Sequence, residues 1–203
     1  DLSDVSTAFA EGEAVNVEEV MNLNPDVVFY NSWHAGDSAA AAKLEELGVA
    51  CVGFTTDIPS AIESVSTWAT LIGQVLGTEM QADKIVAYGQ DVEKMVMDRV
   101  AQIPEEERRS ALILTNYNAA GISAAGTTFG RYWLATIGAE NVALELTQKV
   151  APVSLEQIYA WDPEYIFLNS FSAFTAEDLM TNNAIAGHDW SGLTAVQNGH
   201  VYK

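Results

Sequence analysis

The chain has 203 residues, 49% of them hydrophobic, and its 9 lysines and arginines against 28 aspartates and glutamates give a net charge of −19. A chain this acidic is repelled by nucleic acids and by anionic membrane surfaces, which argues against both as partners. No apolar run approaches the ~20 residues that a membrane-spanning helix needs. The length of 203 residues allows one large domain or two lobes of about 100 residues each.

The single cysteine and the first residue of the chain are also informative. Cys51 is the only cysteine, so neither a disulfide nor a thiolate metal site is possible within one chain. It falls in the apolar run of residues 49–54, where we expect an inert, buried thiol. The sequence begins at Asp1 without a methionine, so we expect that any signal peptide has already been removed or was never included in this chain.

The first predicted elements are a short helix and a strand in residues 15–33. Apolar side chains at helical spacing predict the helix, and Pro25 ends it because proline lacks an amide proton. Residues 27–30 form a continuous apolar run, which is typical of a parallel strand buried on both faces. The preceding residues 1–14 are polar and small, and they predict no element.

Three helices and one strand follow in the first half. Residues 37–47 predict a helix with an acidic N-cap at Asp37, residues 49–54 predict a strand, and residues 58–77 predict a second helix. A long helix is predicted from residue 78 to residue 103. About 26 residues at 1.5 Å each make a rod of about 39 Å, which is long enough to bridge two lobes.

The second half opens with a short buried strand at residues 111–115. The glycine-rich segment after it, NYNAAGISAAGTTFG, is expected to be a loop that leads into a helix over residues 128–137. Such a loop can cradle a phosphate. It lacks the GK[ST] of a P-loop and the spacing of a dinucleotide fingerprint, so nucleotide binding is disfavoured. A helix from Thr175 and a final strand at residues 200–202 are predicted further on.

Residues 153–171 repeat residues 15–33 without a gap. The identical pairs are Val15 and Val153, Glu18 and Glu156, Pro25 and Pro163, Phe29 and Phe167, Asn31 and Asn169, and Ser32 and Ser170. Each copy has an amphipathic helix, a proline and an apolar strand that runs into Asn-Ser and an aromatic residue. This self-similarity predicts one α/β lobe around each copy.

Four segments carry a resemblance to a known family. They are NVEEVMNLNPDVVF, GTTFGRYWLATIGAENVA, VSLEQIYAWDPEYIFL and WSGLTAVQNGHVY, and with the long helix they are spread over almost the whole chain. In these segments the sequence resembles the periplasmic binding proteins of the iron-siderophore, haem and cobalamin class, the substrate-binding components of ABC importers. The resemblance is specific to the family and does not identify the ligand.

The resemblance implies an α/β fold with two Rossmann-like lobes, parallel sheets, a long joining α-helix and a ligand cleft between the lobes. It places an N-terminal lobe at residues 1–77, the bridging helix at residues 78–104 and a C-terminal lobe at residues 105–203. Similar members have a further strand-helix-strand before the NVEEV segment and a helix or two after the VY strand. We therefore expect the chain to be trimmed at both ends.

Ligand contacts are expected on the loops that leave the carboxyl ends of the strands, where open α/β sheets bind ligands. Aromatic side chains with few charges suit a large, flat or partly apolar ligand, such as a ferric chelate, a haem or a corrinoid. The ligand contacts that the resemblance implies are Trp33, His34, Tyr117, Thr127, Phe129, Arg131, Asn169, Phe171 and Phe174.

Three of these side chains have two interpretations each. His34 could ligate haem iron or hydrogen-bond a siderophore, or it could be a solvent-exposed loop histidine. Tyr117 could bind ferric iron as a phenolate, or it could pack. Arg131, one of only 9 basic residues, is favoured as an anion contact over a plain surface charge, because carboxylates or catecholates suit a fork of donors.

Acidic residues on the outer edge of each lobe are expected to contact the permease. In the family such residues dock onto arginines of the membrane protein, and Asp37 with Glu177 or Asp178 begins the helix after each repeated strand. Their other interpretation is helix N-capping and compensation of the helix dipole. The two roles are compatible.

Enzyme functions are disfavoured. A hydrolase triad of His188, Asp189 and Ser191 would need residues this close in sequence to converge, and no G-x-S-x-G motif is present. A chelatase-like tetrapyrrole enzyme is one alternative, although a catalytic cleft should show clustered His and Glu, and this one offers His34 almost alone. An oxyanion receptor for molybdate or tungstate on the same fold is another.

The sequence thus predicts the substrate-binding component of an ABC transporter, for uptake of an iron complex or a related chelate such as cobalamin. The expected partners are a metal-chelate small molecule and a membrane permease, with no nucleic acid. The expected form is a monomer without a cofactor or a metal site of its own. Its expected place is outside the cytoplasm, in the periplasm or on the cell surface as a lipoprotein.

Overall fold

A computed structural model describes residues 15–31, 35–54, 60–127, 129–170 and 172–203. For residues 31, 35–37 and 129 only the backbone is described. The chain divides into two units, Asp1–Ile58 and Pro59–Lys203. The predicted division into lobes at residues 77 and 104 and the bridging role of the long helix stay predictions.

The first unit is a β-α-β arrangement preceded by a short helix. Its elements are α1 (Val17–Asn22), β1 (Val27–Asn31), α2 (Ala35–Glu46) and β2 (Ala50–Phe54). The two strands are parallel, with Val27 opposite Ala50, and Val20, Leu44 and Val49 form a small buried cluster. Helix α2 begins at Ala35, so Asp37 is the third residue of the helix, and the prediction that it is the N-cap is wrong.

Helices α3 (Ala61–Leu76) and α4 (Glu79–Val100) open the second unit and pack against each other. Gly77 ends α3 in the left-handed conformation at φ 67°, which glycine adopts without steric cost. The close approach of the two helices depends on Gly73, because a Cβ there would lie 2.6 Å from the Cβ of Ala82. Helix α4 has 22 residues, which at 1.5 Å each gives a length of about 33 Å.

The rest of the second unit is a mixed sheet with helices. Its elements are β3 (Ser110–Asn118), β4 (Gly121–Ala125), α5 (Phe129–Thr136), β5 (Glu140–Asn141), β6 (Val150–Val153), α6 (Leu155–Trp161), β7 (Tyr165–Leu168), α7 (Ala176–Met180), α8 (Thr194–Gln197) and β8 (Val201–Tyr202). The strand order is β6-β4-β3-β7-β8, and β5 pairs with β3. Strands β3, β5, β7 and β8 pair in parallel, and β4 is antiparallel to β3 and β6. The chain is therefore α/β with a parallel-rich sheet, as predicted.

An antiparallel hairpin replaces much of the predicted glycine-rich loop. Strand β3 continues to Asn118 and pairs with β4 across a tight turn. The Asn118 side chain accepts a hydrogen bond from the backbone N–H of Ala120 at 2.8 Å, and Gly121 supplies a φ of 141°. The prediction of a loop is wrong for residues 116–118 and 121–125, because small residues and asparagine pair here as strands, and only residues 119 and 120 form the turn.

A β-bulge in β3 decides which of its side chains face the core. The pairing of β3 with β4 shifts register between Leu114 and Asn116. Strict alternation from Leu114 would turn Asn116 inward, but the extra residue turns Tyr117 inward instead. Leu114 and Tyr117 are accordingly both fully buried.

The two copies of the repeat adopt the same local structure. Asn16 and Ser154 cap the helices by accepting hydrogen bonds from backbone N–H groups in the first turn. The residues before the two prolines, Asn24 and Asp162, are both left-handed, with φ of 48° and 40°. The predicted sequence of helix, proline and strand is therefore confirmed in both copies.

The main core lies on the sheet of the second unit. Leu112, Ile158, Ile166, Trp190 and Leu193 have no exposed surface there. Continuous apolar runs in β3 and β7 suit a sheet that is covered on both faces. No helix within the described ranges combines the length and the apolar character needed to cross a bilayer.

Candidate functional site

The candidate site lies where β7 ends beside β3. The described residues 169, 170 and 172–174, which we call the β7 exit loop, follow the carboxyl end of β7. The backbone N–H of Asn169 donates to the carbonyl of Leu114 in β3 at 2.9 Å. The loop therefore starts at the edge of the sheet where α/β proteins bind ligands.

The β7 exit loop is held onto the last residues of β3. The carbonyl oxygen of Tyr117 accepts hydrogen bonds from the N–H of Ala173 at 3.2 Å and from the hydroxyl of Ser172 at 3.1 Å. The N–H of Ser172 donates to the carbonyl of Asn169 at 2.9 Å and closes a turn. Ser172 is only 4% exposed, so its polar groups depend on these protein partners.

Apart from the small side chain of Ala173, the described side chains of this loop that solvent reaches are those of Asn169, Ser170 and Phe174. Asn169 and Phe174 are half-buried and Ser170 is exposed. The hydroxyl of Ser170 donates to the side-chain oxygen of Asn169 at 3.3 Å. The loop thus offers amide, hydroxyl and aromatic groups without a charge, which suits a large neutral or partly apolar ligand.

Tyr117 lies beneath the loop and not on its surface. Its ring packs against Phe174 at 5.0 Å and against Trp190 at 5.2 Å, and the residue has no exposed surface. Burial raises the pKa of the Tyr117 hydroxyl, and the hydrogen bond from Trp190 only partly offsets this. The phenol is therefore protonated and packed, so a phenolate contact to iron would require this residue to leave its position.

The hydroxyl of Tyr117 is also hydrogen-bonded. It accepts from Nε1 of Trp190 at 3.1 Å and lies 3.2 Å from Nδ1 of His188. Asp189 accepts from the N–H and hydroxyl of Ser191 within its own turn. His188 therefore faces the core tyrosine, and the hydrolase arrangement of these residues does not form.

Thr127 and Arg131 lie around the start of α5. Thr127 is exposed and donates its backbone N–H to Gln148 at 3.0 Å. Arg131 is exposed in the first turn of α5 and lines an open groove of about 970 Å³ together with Arg108 and Trp161. No described residue of the β7 exit loop lines this groove. Arg131 and the β7 exit loop therefore do not share this groove, and the role of Arg131 as an anion contact stays a prediction.

Other predicted contacts fall outside what the structure describes. Trp33, His34 and Phe171 lie outside the described residues, and so do the side chains of Asp37 and Phe129. Their roles stay predictions. Within the described part of the chain, His, Cys, Asp and Glu side chains form no group of three that could hold a metal ion.

The acidic residues of α7 have a clear structural role. Asp178 accepts hydrogen bonds from the N–H and the hydroxyl of Thr175, at 2.9 and 2.7 Å, and the hydroxyl accepts in turn from the N–H of Asp178. The bonds from Thr175 hold the pKa of Asp178 below its usual range. Helix capping is confirmed for Asp178, while Glu177 is exposed in the same turn. Docking to a permease stays a prediction for both.

Sequence reasoning missed Ser172 and Lys203, which hold the β7 exit loop. The Lys203 ammonium group donates to the carbonyl of Ser172 at 2.7 Å. The sequence signal was weak, because a serine in a loop and a lysine after a strand are ordinary surface residues. Only the pairing of β8 with β7 brings Lys203 to this loop.

Comparison with known proteins gives the family. A sequence model described as periplasmic binding protein matches residues 7–203. The uncharacterized ABC transporter substrate-binding lipoprotein YvrC of Bacillus subtilis is 25% identical over 93% of this chain and 57% of its own length. The iron(3+)-hydroxamate-binding protein FhuD of the same organism is 26% identical over 95% of this chain and 59% of its own length. The chain thus spans a little under three fifths of these relatives.

Solved structures agree with this assignment. A periplasmic solute-binding protein from Veillonella parvula superposes with a TM-score of 0.78 at 29% identity, over 100% of this chain and 59% of that one. The periplasmic haem-binding protein RhuT from Roseiflexus sp. RS-1 superposes with a TM-score of 0.76 at 20% identity, over 93% of this chain and 70% of that one, which shows a shared fold. The chain belongs to the periplasmic binding protein family.

Proposed function

We propose that this chain is the substrate-binding part of an ABC importer and captures an iron chelate, either a ferric siderophore or haem, or a related metal chelate such as cobalamin. The observation that carries the proposal is the family match over residues 7–203, joined by a likeness to an iron(3+)-hydroxamate-binding protein over 95% of the chain. The named relatives are binding proteins, so the proposed function is capture and delivery without catalysis.

The chemistry of the β7 exit loop supports this ligand class. Asn169 and Ser170 offer neutral hydrogen-bonding groups, and Phe174 offers an aromatic surface. A chelate hides its metal inside an organic shell, so its receptor needs apolar and neutral polar contacts more than charges. We propose that the ligand touches these residues, together with the expected contacts Trp33 and His34.

The proposal also covers the docking of the protein to a permease and its location in the cell. Glu177 on α7 is exposed and free to meet a basic surface of a permease, and Asp37 is proposed for the same role on the first unit. The protein would work outside the cytoplasm, in the periplasm or as a lipoprotein of the kind that the name of YvrC describes.

A ligand panel tests the proposal. The full chain is titrated with haem, a corrinoid, a ferric hydroxamate and molybdate, while tryptophan fluorescence is recorded. We expect saturable quenching by one of the three chelates, reduced in Trp33→Phe. The matched control is Trp133→Phe, which removes an exposed tryptophan from α5 and should leave the affinity unchanged.

Two outcomes would contradict the proposal. Binding of molybdate alone would keep a binding protein but move its ligand to oxyanions, the alternative that the sequence left open. No saturable change with any member of the panel would overturn the proposed ligand class.

A further inference from the structure

Lys203 makes a contact that its sequence position does not suggest. It directly follows β8, and its Nζ donates to the carbonyl oxygen of Ser172 in the β7 exit loop at 2.7 Å. An ammonium donor makes this a charge-assisted hydrogen bond, which is stronger than a neutral one. One basic side chain therefore holds the loop that carries Asn169 and Phe174.

The contact completes a set of bonds around Ser172. The N–H of Ser172 donates to Asn169, its hydroxyl donates to Tyr117, and its carbonyl accepts from Lys203. With these partners in place Ser172 is only 4% exposed, so its polar groups depend on bonds within the protein. Removing the ammonium group leaves the loop fixed from the β3 side only.

Lys203 also lies near the start of α7. Helix α7 packs against β8, the strand that Lys203 follows. The positive charge of Lys203 helps to lower the pKa of Asp178, after the larger effect of the hydrogen bonds from Thr175. The same ammonium group therefore acts on the exit loop and on the first turn of the next helix.

We propose that Lys203 is a positioning residue of the ligand site, which holds the β7 exit loop and the first turn of α7 in one fixed arrangement so that Asn169 and Phe174 meet the ligand already ordered. This inference rests on the proposed function, because it assigns a role to Lys203 within that same site. Ordering a loop before binding raises affinity, since the ligand no longer bears the entropic cost of ordering it.

The test compares Lys203→Met with Lys203→Arg in the full chain. Lys94→Met is the matched control, because it removes the same charge from an exposed i,i+4 ion pair on α4. Hydrogen exchange is measured first, without any ligand. We expect the amides of Ser172 and Ala173 to exchange about tenfold faster in Lys203→Met, while those of β3 and β7 are unchanged.

Affinity is measured next, with whichever of haem, corrinoid or ferric hydroxamate binds the wild-type chain. We expect the Kd to rise about three- to tenfold in Lys203→Met, the effect of losing one charged hydrogen bond from a partly exposed site. Lys203→Arg should restore the local exchange rates and the Kd, since it keeps a charged donor. Lys94→Met should change neither.

Each result decides the inference. Unchanged exchange at Ser172 and Ala173 in Lys203→Met overturns it, and so does faster exchange throughout β3 and β7, which would show a general loss of stability. A local change in exchange with an unchanged Kd also overturns it. If the wild-type chain binds no chelate, the proposed function fails, and so does the assignment of Lys203 to a chelate site, while the exchange data still report separately on the loop.

Discussion

The indole Nε1 of Trp190 donates a hydrogen bond of 3.1 Å to the hydroxyl oxygen of Tyr117, and both residues have no exposed surface. A buried N–H needs such a partner, because water cannot reach it. The same hydroxyl lies 3.2 Å from Nδ1 of His188. One tyrosine therefore satisfies polar groups on the segment before β8 while its ring supports the β7 exit loop.

Removal of that hydroxyl is expected to destabilise the second unit. Tyr117→Phe keeps the ring and its packing but leaves the Trp190 N–H unpaired, which should lower the free energy of unfolding by about 1–3 kcal/mol. Urea unfolding followed by tryptophan fluorescence measures this. Tyr88→Phe is the control, since Tyr88 is 72% exposed on α4 and its change should stay within about 0.5 kcal/mol. Equal effects of the two substitutions would contradict the structural role given to Tyr117.

The contact between α3 and α4 predicts that Gly73→Ala lowers or raises the free energy of unfolding according to which residue occupies position 82. Gly73→Ala should lower the free energy of unfolding by about 1–3 kcal/mol, because the new Cβ would lie 2.6 Å from the Cβ of Ala82 and force the helices apart. In an Ala82→Gly background the same substitution should stabilise by about 0.5–1 kcal/mol, since alanine is the better helix former. Thermal unfolding of the wild type, the two single variants and the double variant measures both effects. A loss of the same size in both backgrounds would show that the helices do not meet at this point.

The decrease in the free energy of unfolding at acidic pH is expected to depend on Glu164. Its carboxylate accepts from the N–H of Ser110 at 3.0 Å and from Arg109 at 2.9 Å, and these groups, led by the Ser110 N–H, lower its pKa. Because the folded pKa lies below the unfolded one, the stabilisation is complete above the unfolded value of about 4.3 and is lost as the pH falls through the lower folded value.

Unfolding in urea between pH 7 and pH 3 checks this expectation against Glu164→Gln, which cannot titrate. The stability gap between the two chains should be widest near neutral pH and should narrow below about pH 4.3. If the difference in free energy of unfolding stayed constant over the whole pH range, the pKa of Glu164 would be the same in the folded and unfolded chains.

The sequence predicts regular elements well where several signals agree. In both copies of the repeat, helical periodicity, a proline and an apolar run coincide, and the structure has α1, β1, α6 and β7 there. The hairpin of β3 and β4 is different, because NYNAAGISAAG has few of the bulky residues that favour strands. Its strands form because sheet pairing in the folded chain overrides weak local preference.

In the candidate site, too, the sequence predicts the position of some residues and not of others. Asn169 could be placed at a strand exit from the apolar run before it, and the structure has it there. Tyr117 was expected at a strand exit as well, but β3 runs on to Asn118 and the bulge turns the tyrosine inward. Lys203 could not be found from sequence, because its contact depends on which strands become neighbours over a separation of 31 residues.

The bulge in β3 also bears on how this chain should be aligned with its relatives. One extra residue between Leu114 and Tyr117 reverses which of the following side chains in the strand face inward and which face outward. A relative with a regular strand here would match this chain only across a one-residue gap. An ungapped alignment would set an outward-facing residue against the core tyrosine, and any comparison of ligand preference drawn from the columns beyond it would compare opposite sides of the sheet.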